Sequence, residues 1–187
     1  MKIAISLAMM AATVWAMPAS AQTNSGLRTE LKLGKDSSSL AFFGMNLSKS
    51  GLLYGGEIGY DVQVTPTLSL GLDAEATASS IRYPIKMAYV PTTYTLSVAR
   101  DLYTGARLTL VGAKNFNIYL KAGYANGRTS LNTALLHYPN NSAGFRKGIG
   151  AQYSVTPHLY VSAEYRHTQY GEAVSRQQIV SGLGYRF

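Results

Sequence analysis

The sequence predicts an all-β fold: a transmembrane antiparallel up-and-down β-barrel of about eight strands, with short turns on one rim and long loops on the other. Three observations carry this. Apolar and polar residues alternate with period 2 through most of the region after residue 21, no apolar run there is long enough for a membrane helix, and the last strand closes on Tyr185-Arg186-Phe187. Alternation reads as strand because successive side chains of a strand leave opposite faces, whereas a helix repeats every 3.6 residues.

The first 21 residues read as an export signal cleaved after Ala21. Lys2 gives the positive start, residues 3–17 the apolar stretch, and Ala19-Ser20-Ala21 the small-residue cleavage site. The stretch falls short of the roughly 20 residues a spanning helix needs, and no stop-transfer pattern follows. Residues 22–187 then form one barrel domain. Of the 187 residues, 47% are apolar and only 14% charged, a low charged share for a chain that meets water all round. With no cysteine, disulfides, thiolate metal sites, thiol nucleophiles and lipoprotein acylation are excluded.

The first strand runs from Leu27 to about Gly34, with Leu27, Thr29, Leu31 and Leu33 opposite Arg28, Glu30 and Lys32. Residues 52–64 place Leu52, Tyr54, Ile58, Tyr60, Val62 and Val64 on one face and Glu57, Asp61 and Gln63 on the other. After Thr65-Pro66, Leu68, Leu70, Leu72, Ala74 and Ala76 oppose Asp73, Glu75 and Thr77. Strands over residues 94–111 and 116–124 flank the turn Ala113-Lys114-Asn115, strands over 145–155 and 159–168 flank Thr156-Pro157, and 178–187 is the last. Tight turns near 65–67, 113–115 and 156–158 alternate with long connections at 35–50, 79–93, 126–144 and 170–177. The run Tyr60-Asp61-Val62-Gln63-Val64-Thr65-Pro66 is echoed by Gln152-Tyr153-Ser154-Val155-Thr156-Pro157, which places both Thr-Pro turns on one rim.

In a membrane barrel the polar faces converge on a narrow interior, so their charges must nearly cancel. Those faces carry Glu30, Glu57, Asp61, Asp73, Glu75, Asp101 and Glu164 against Arg28, Lys32, Arg107, Lys121, Arg146, Arg166 and Arg186, seven acids to seven bases. They are expected to form an ionic network that fills the barrel, which makes it no open pore. Asp36 and Glu172 stand outside that set. The remaining bases, Lys35, Lys49, Arg82, Lys86, Arg100, Lys114, Arg128, Lys147 and Arg176, are placed on loops and strand ends, mostly at the long-loop rim. A basic rim suits outer-membrane lipid and lipopolysaccharide phosphates. Nucleic acid is not an expected partner, since no recognition motif accompanies the charge.

The run Glu164-Tyr165-Arg166-His167-Thr168-Gln169-Tyr170-Gly171, followed by Gly182-Leu183-Gly184-Tyr185-Arg186-Phe187, resembles the closing strands of the opacity-type small outer-membrane β-barrel proteins. The turn Val64-Thr65-Pro66 with Leu70-Gly71-Leu72 is similar to their second hairpin, so the resemblance covers residues 27–187. It implies a barrel in the bacterial outer membrane with a structural, surface-interaction or adhesion role and a ligand at the outer loops. Tyr185 and Phe187 match the C-terminal signal by which the barrel-assembly machinery recognises its substrates. His167 departs from the pattern, where an aromatic is usual.

Two alternatives are a lipid A-modifying acyl hydrolase and a small diffusion channel. The hydrolase needs a serine beside an outward histidine. His167 is the only strand histidine, yet Gln169 stands two residues on and Ser162 faces inward. Asp73 and Glu75 mimic a catalytic carboxylate pair but face the interior bases, and His137 and His158 are too far apart in sequence for a local metal motif. No catalytic residue, cofactor or metal is expected. Residues 81–89 alternate beyond the roughly 9–11 residues of a spanning strand. Their hairpin is expected to protrude, where its edge could take a partner's strand.

Overall fold

The computed structural model describes residues 25–42, 45–86, 93–112, 115–132, 137–171 and 174–187. The expected export signal, Lys114 and Glu172 lie outside them. The strands are β1 (Gly26–Phe42), β2 (Met45–Thr65), β3 (Leu68–Ser79), β4 (Arg82–Lys86), β5 (Thr93–Val111), β6 (Phe116–Asn132), β7 (His137–Ser154), β8 (Leu159–Tyr170) and β9 (Val174–Arg186). Neighbours pair antiparallel in the order β3-β2-β1-β9-β8-β7-β6-β5, and β3 pairs back to β5 to close the ring. After a break at Ser80 and Ile81, β4 continues the line of β3 and pairs with the upper part of β5. The nine segments therefore make eight staves.

The ring is staggered. Following direct partners from Glu30 through Glu57, Glu75, Tyr103, Ala125, Gly144, Tyr170 and Val174 returns to β1 at Leu40, ten residues above the start. Such a shift tilts the strands by roughly 35–45° and fixes an interior that side chains just fill.

Alternation sets the faces. Leu31, Leu72 and Tyr124 are 72%, 71% and 67% exposed, while Arg28, Asp61, Asp73, Arg107, Arg146 and Arg166 are buried. This is the reverse of a water-soluble core, and the exposed apolar belt needs lipid around it. Aromatic residues edge the belt, with Tyr54, Tyr124, Phe145 and Tyr165 toward the hairpins and Tyr60, Phe116, Tyr153 and Tyr185 toward the short turns.

The short-turn rim holds both ends of the described chain. Thr65 and Thr156 serve equivalent roles in the echoed turns: Thr65 Oγ1 accepts from Thr67 N at 3.3 Å, and Thr156 Oγ1 accepts from Leu159 N at 2.9 Å. On the other rim the structure departs from the sequence reading, because the expected long loops are largely strand. β1 runs to Phe42, β2 begins at Met45, β6 runs to Asn132 and β7 begins at His137. Pairing continues beyond the lipid, where no medium enforces alternation, so the pattern fades before the hydrogen bonds do.

Several edges open above the ring. β2 over residues 45–51 pairs only with β1, β4 pairs only with β5, and β7 over residues 137–143 pairs only with β6. The last two each carry a proline. Val98 N donates to Ile81 O at 3.1 Å, and by alternation residue 84 turns its backbone nitrogen away from β5. Ser154 N donates to Asn115 O at 2.9 Å, and the same parity turns residue 139 away from β6. Pro84 and Pro139 thus withhold a donor from the open sides.

Candidate functional site

The interior is one connected ionic column. Nearest the short turns, Arg28 bonds Glu57 at 2.6 Å, Asp61 at 3.0 Å and also Asp73, while Arg186 reaches Asp61 at 3.0 Å. At mid-height Lys32 lies 2.9 Å from Glu57 and 3.3 Å from Glu164, and Lys121 lies 2.5 Å from Glu57 and 3.1 Å from Asp73. Tyr160 and Ser162 donate to Glu30 at 3.1 and 2.5 Å, and Tyr119 donates to Glu164 at 3.2 Å. Arg107 lies 3.7 Å over the Tyr119 ring and donates to Gln152 at 2.9 Å. Toward the hairpins Arg166 and Arg146 hold Glu75 at 2.6 and 3.3 Å, and Arg146 also bonds Asp101.

All fourteen residues of the expected interior set are buried there. Two more join them. Asp36, taken from sequence as outside the set, and Arg176, taken as a rim base, are both buried and paired with each other, and Arg176 also reaches Asp101 at 3.0 Å. The expected first and last strands stopped at Gly34 and Gln178, short of this pair. Continuing the even-numbered face of β1 past Lys32, and of β9 past Gln178, is the signal that finds it. The described lumen then holds eight acids and eight bases. A low-dielectric interior tolerates such a set only when the charges balance and their hydrogen bonds are met.

Room for this column comes from residues without side chains. A Cβ on Gly182 would strike the Glu30 carboxylate and Ser162 Oγ, and one on Gly184 would strike the Tyr160 ring.

The exterior is the complement. Every carboxylate side chain among the described residues lies in the lumen, while Lys35, Arg82, Arg100 and Lys147 are exposed outside. Lys35, Arg100 and Lys147 sit on strands at the hairpin side of the apolar belt; of the three, only Lys35 was expected in a long connection. Arg100 is the direct partner of Arg128, and Lys147 of His167. His167 alternates outward with Tyr165 and Gln169, whereas Ser162 is buried against Glu30. The structure therefore keeps serine and histidine on opposite faces of β8. At the short-turn rim Tyr185 stacks on His158 with centroids 5.6 Å apart and meets Phe187 edge-on at 4.8 Å.

A closed ring with an apolar outside and a charge-balanced inside agrees with the family comparison, in which the model described as outer membrane protein beta-barrel domain matches residues 4–187. The chain belongs to that family. It is an outer-membrane β-barrel. Over 69 residues it is 36% identical to the 25 kDa outer-membrane immunogenic protein of Brucella ovis, a stretch covering 37% of this chain and 34% of that protein. The match thus spans about a third of the relative's length. Among solved structures it resembles Neisserial surface protein A, with a TM-score of 0.66 at 18% identity over 87% of this chain and 98% of the other. It also resembles Ail, the attachment invasion locus protein of Yersinia pestis, with a TM-score of 0.60 at 16% identity over 87% and 99%. Ail has also been solved in complex with the heparin analogue sucrose octasulfate. At these identities the two structures speak for the fold.

Proposed function

We propose that this barrel is a closed surface-interaction protein whose outer hairpins engage ligands of the cell exterior, with a role in adhesion or surface association. One observation carries the reading: the lumen is filled along its height by paired side chains, so the hairpins and the basic exterior are left as the surfaces that meet a partner. The names of a relative, an outer-membrane immunogenic protein, and of a protein of similar fold, an attachment invasion locus protein, point the same way. Because Pro84 blocks the open side of β4, the hairpin is read as contacting partners through side chains rather than through strand addition. Deleting residues 82–92 is expected to leave the barrel folded and to lower adherence to host cells or matrix. Unchanged adherence would remove the proposal.

The hydrolase reading is disfavoured by the placement of Ser162 and His167 on opposite faces. Substituting His167→Ala is expected to leave the mass spectrum of lipid A unchanged. Export is proposed to cleave after Ala21, which N-terminal sequencing of the membrane-inserted protein checks. Tyr185 and Phe187 are proposed as the docking signal for the assembly machinery, and removing Phe187 is expected to lower the amount of folded barrel in the outer membrane.

A further inference from the structure

Arg100 and Arg128 face each other as direct partners across β5 and β6. Like charges placed opposite one another on a sheet repel, and no described carboxylate offsets them here, since each is enclosed in the lumen. The opposition arises at an irregularity of β5. Val98 pairs Thr129 but Arg100 pairs Arg128, so Ala99 is an extra residue on its strand. A bulge of this kind re-aims the side chains beside it. Beside it, Val98, Arg128 and Thr129 line a small cavity at the mouth together with Tyr170 and Arg176. Below it, Arg100 is exposed on the outward side. Arg128 Nε donates at 3.2 Å to Asn141, its own partner on β7, which fixes that guanidinium on the outward face, on the side of β6 away from Arg100.

The surroundings suit a lipid. Tyr124 and Leu102 end the apolar belt just beneath the two arginines on their own strands. Arg100 is also the partner of Ala78, and the next two outward residues of β3 are Ala76 and Ala74, with Gly56 beside Ala76 on β2 and Leu102 and Thr104 opposite the two alanines on β5. Larger side chains, Ile58, Leu72, Leu102 and Tyr124, bound this low strip. An acyl chain lying along it would bring an anionic headgroup to the height of the arginine pair.

We propose that Arg100 and Arg128 form a seat for a phosphate of an outer-leaflet glycolipid, whose acyl chains lie on the alanine strip. The inference rests on the outer-membrane placement and not on the adhesive role of the hairpins. Arginine suits the task because its planar fork meets phosphate oxygens through paired, charge-assisted hydrogen bonds.

The test uses the folded barrel in neutral detergent, with native mass spectrometry reading retention of bisphosphorylated lipid A, of the same lipid with both phosphates removed, and of inorganic phosphate. The unmodified protein is expected to retain the bisphosphorylated lipid selectively. Arg100→Gln with Arg128→Gln is expected to weaken retention on the order of 30-fold, as for two basic residues at an anionic surface. Lys35→Gln, a base elsewhere on the belt, is expected to leave it unchanged. Heat-modifiable migration confirms that each variant is folded, and Asn141→Ala gives a milder second variant that should weaken retention without removing a charge. Equal retention by the double variant, equal loss in Lys35→Gln, or equal retention of the dephosphorylated lipid would each overturn the seat. Displacement of the lipid by an equal concentration of inorganic phosphate would overturn the lipid as its source. Lost adherence after deletion of residues 82–92, with lipid retention intact, leaves this seat standing whatever becomes of the hairpin's role.

Discussion

Arg28 is the single side chain on which most of the lower lumen depends, because its guanidinium serves Glu57, Asp61 and Asp73 at once. Arg28→Ala leaves three buried carboxylates facing one another, and a loss of about 3–5 kcal/mol is expected in urea unfolding from lipid vesicles, the cost of stripping one partner from a buried pair. Arg28→Lys keeps the charge but not the fork, and should lose less. A paired test concerns glycine. Gly184→Val drives methyls into the Tyr160 ring and so disturbs the hydroxyl that holds Glu30, with an expected cost of about 1–3 kcal/mol. Gly56→Ala, whose new Cβ meets nothing closer than a backbone oxygen at 3.5 Å, should be neutral in the same assay. At this scale the sequence was informative about which residues point inward, since alternation fixes that from one residue to the next. It was silent about who pairs with whom: Lys32 and Glu164 are 132 residues apart and meet only because the ring closes.

The strands outrun the membrane. β2 has 21 residues and β5 has 19, against the roughly 9–11 that span a bilayer. The parts inside lipid were legible in the sequence because solvent differs on the two faces. The parts above it were not, because water on both sides allows any polar residue, and Ser37, Ser38 and Ser39 alternate nothing. Asp36 and Arg176 were lost to the interior reading because the expected strands stopped short of them, at Gly34 and Gln178, although both lie buried in the lumen. The extensions create open edges, and the prolines on two of them are tested by replacement. Pro84→Thr with Pro139→Thr restores a backbone donor on each of those two sides. The doubly substituted barrel is expected to form dimers or larger species in light-scattering chromatography at concentrations where the unaltered protein is monomeric; an unchanged mass would mean that the prolines do not guard these edges.

The stagger of the whole ring closes it around a lumen just wide enough for side chains. Eight acids and eight bases occupy that space, and no continuous step in current is expected when the purified barrel is added to a planar bilayer. Arg146→Ala with Arg176→Ala empties the upper column where Asp101 and Asp36 are held, and brief openings are expected from that variant if it inserts. That the lumen would be neutral was readable from the count of charges on the polar faces. That the exterior would be wholly without carboxylates among the described residues was not, since it required Asp36 to be inside.

That segregation gives the molecule a chemical contrast between its two states. A water-soluble carbodiimide activates carboxylates it can reach, and in the unfolded chain all eight of these side chains are ordinary targets. Once the ring has closed they are sealed behind a wall that shows the reagent lysines and arginines. Adducts on these eight side chains thus become a clock for closure: a molecule that stops gaining them has finished folding, whatever its migration on a gel.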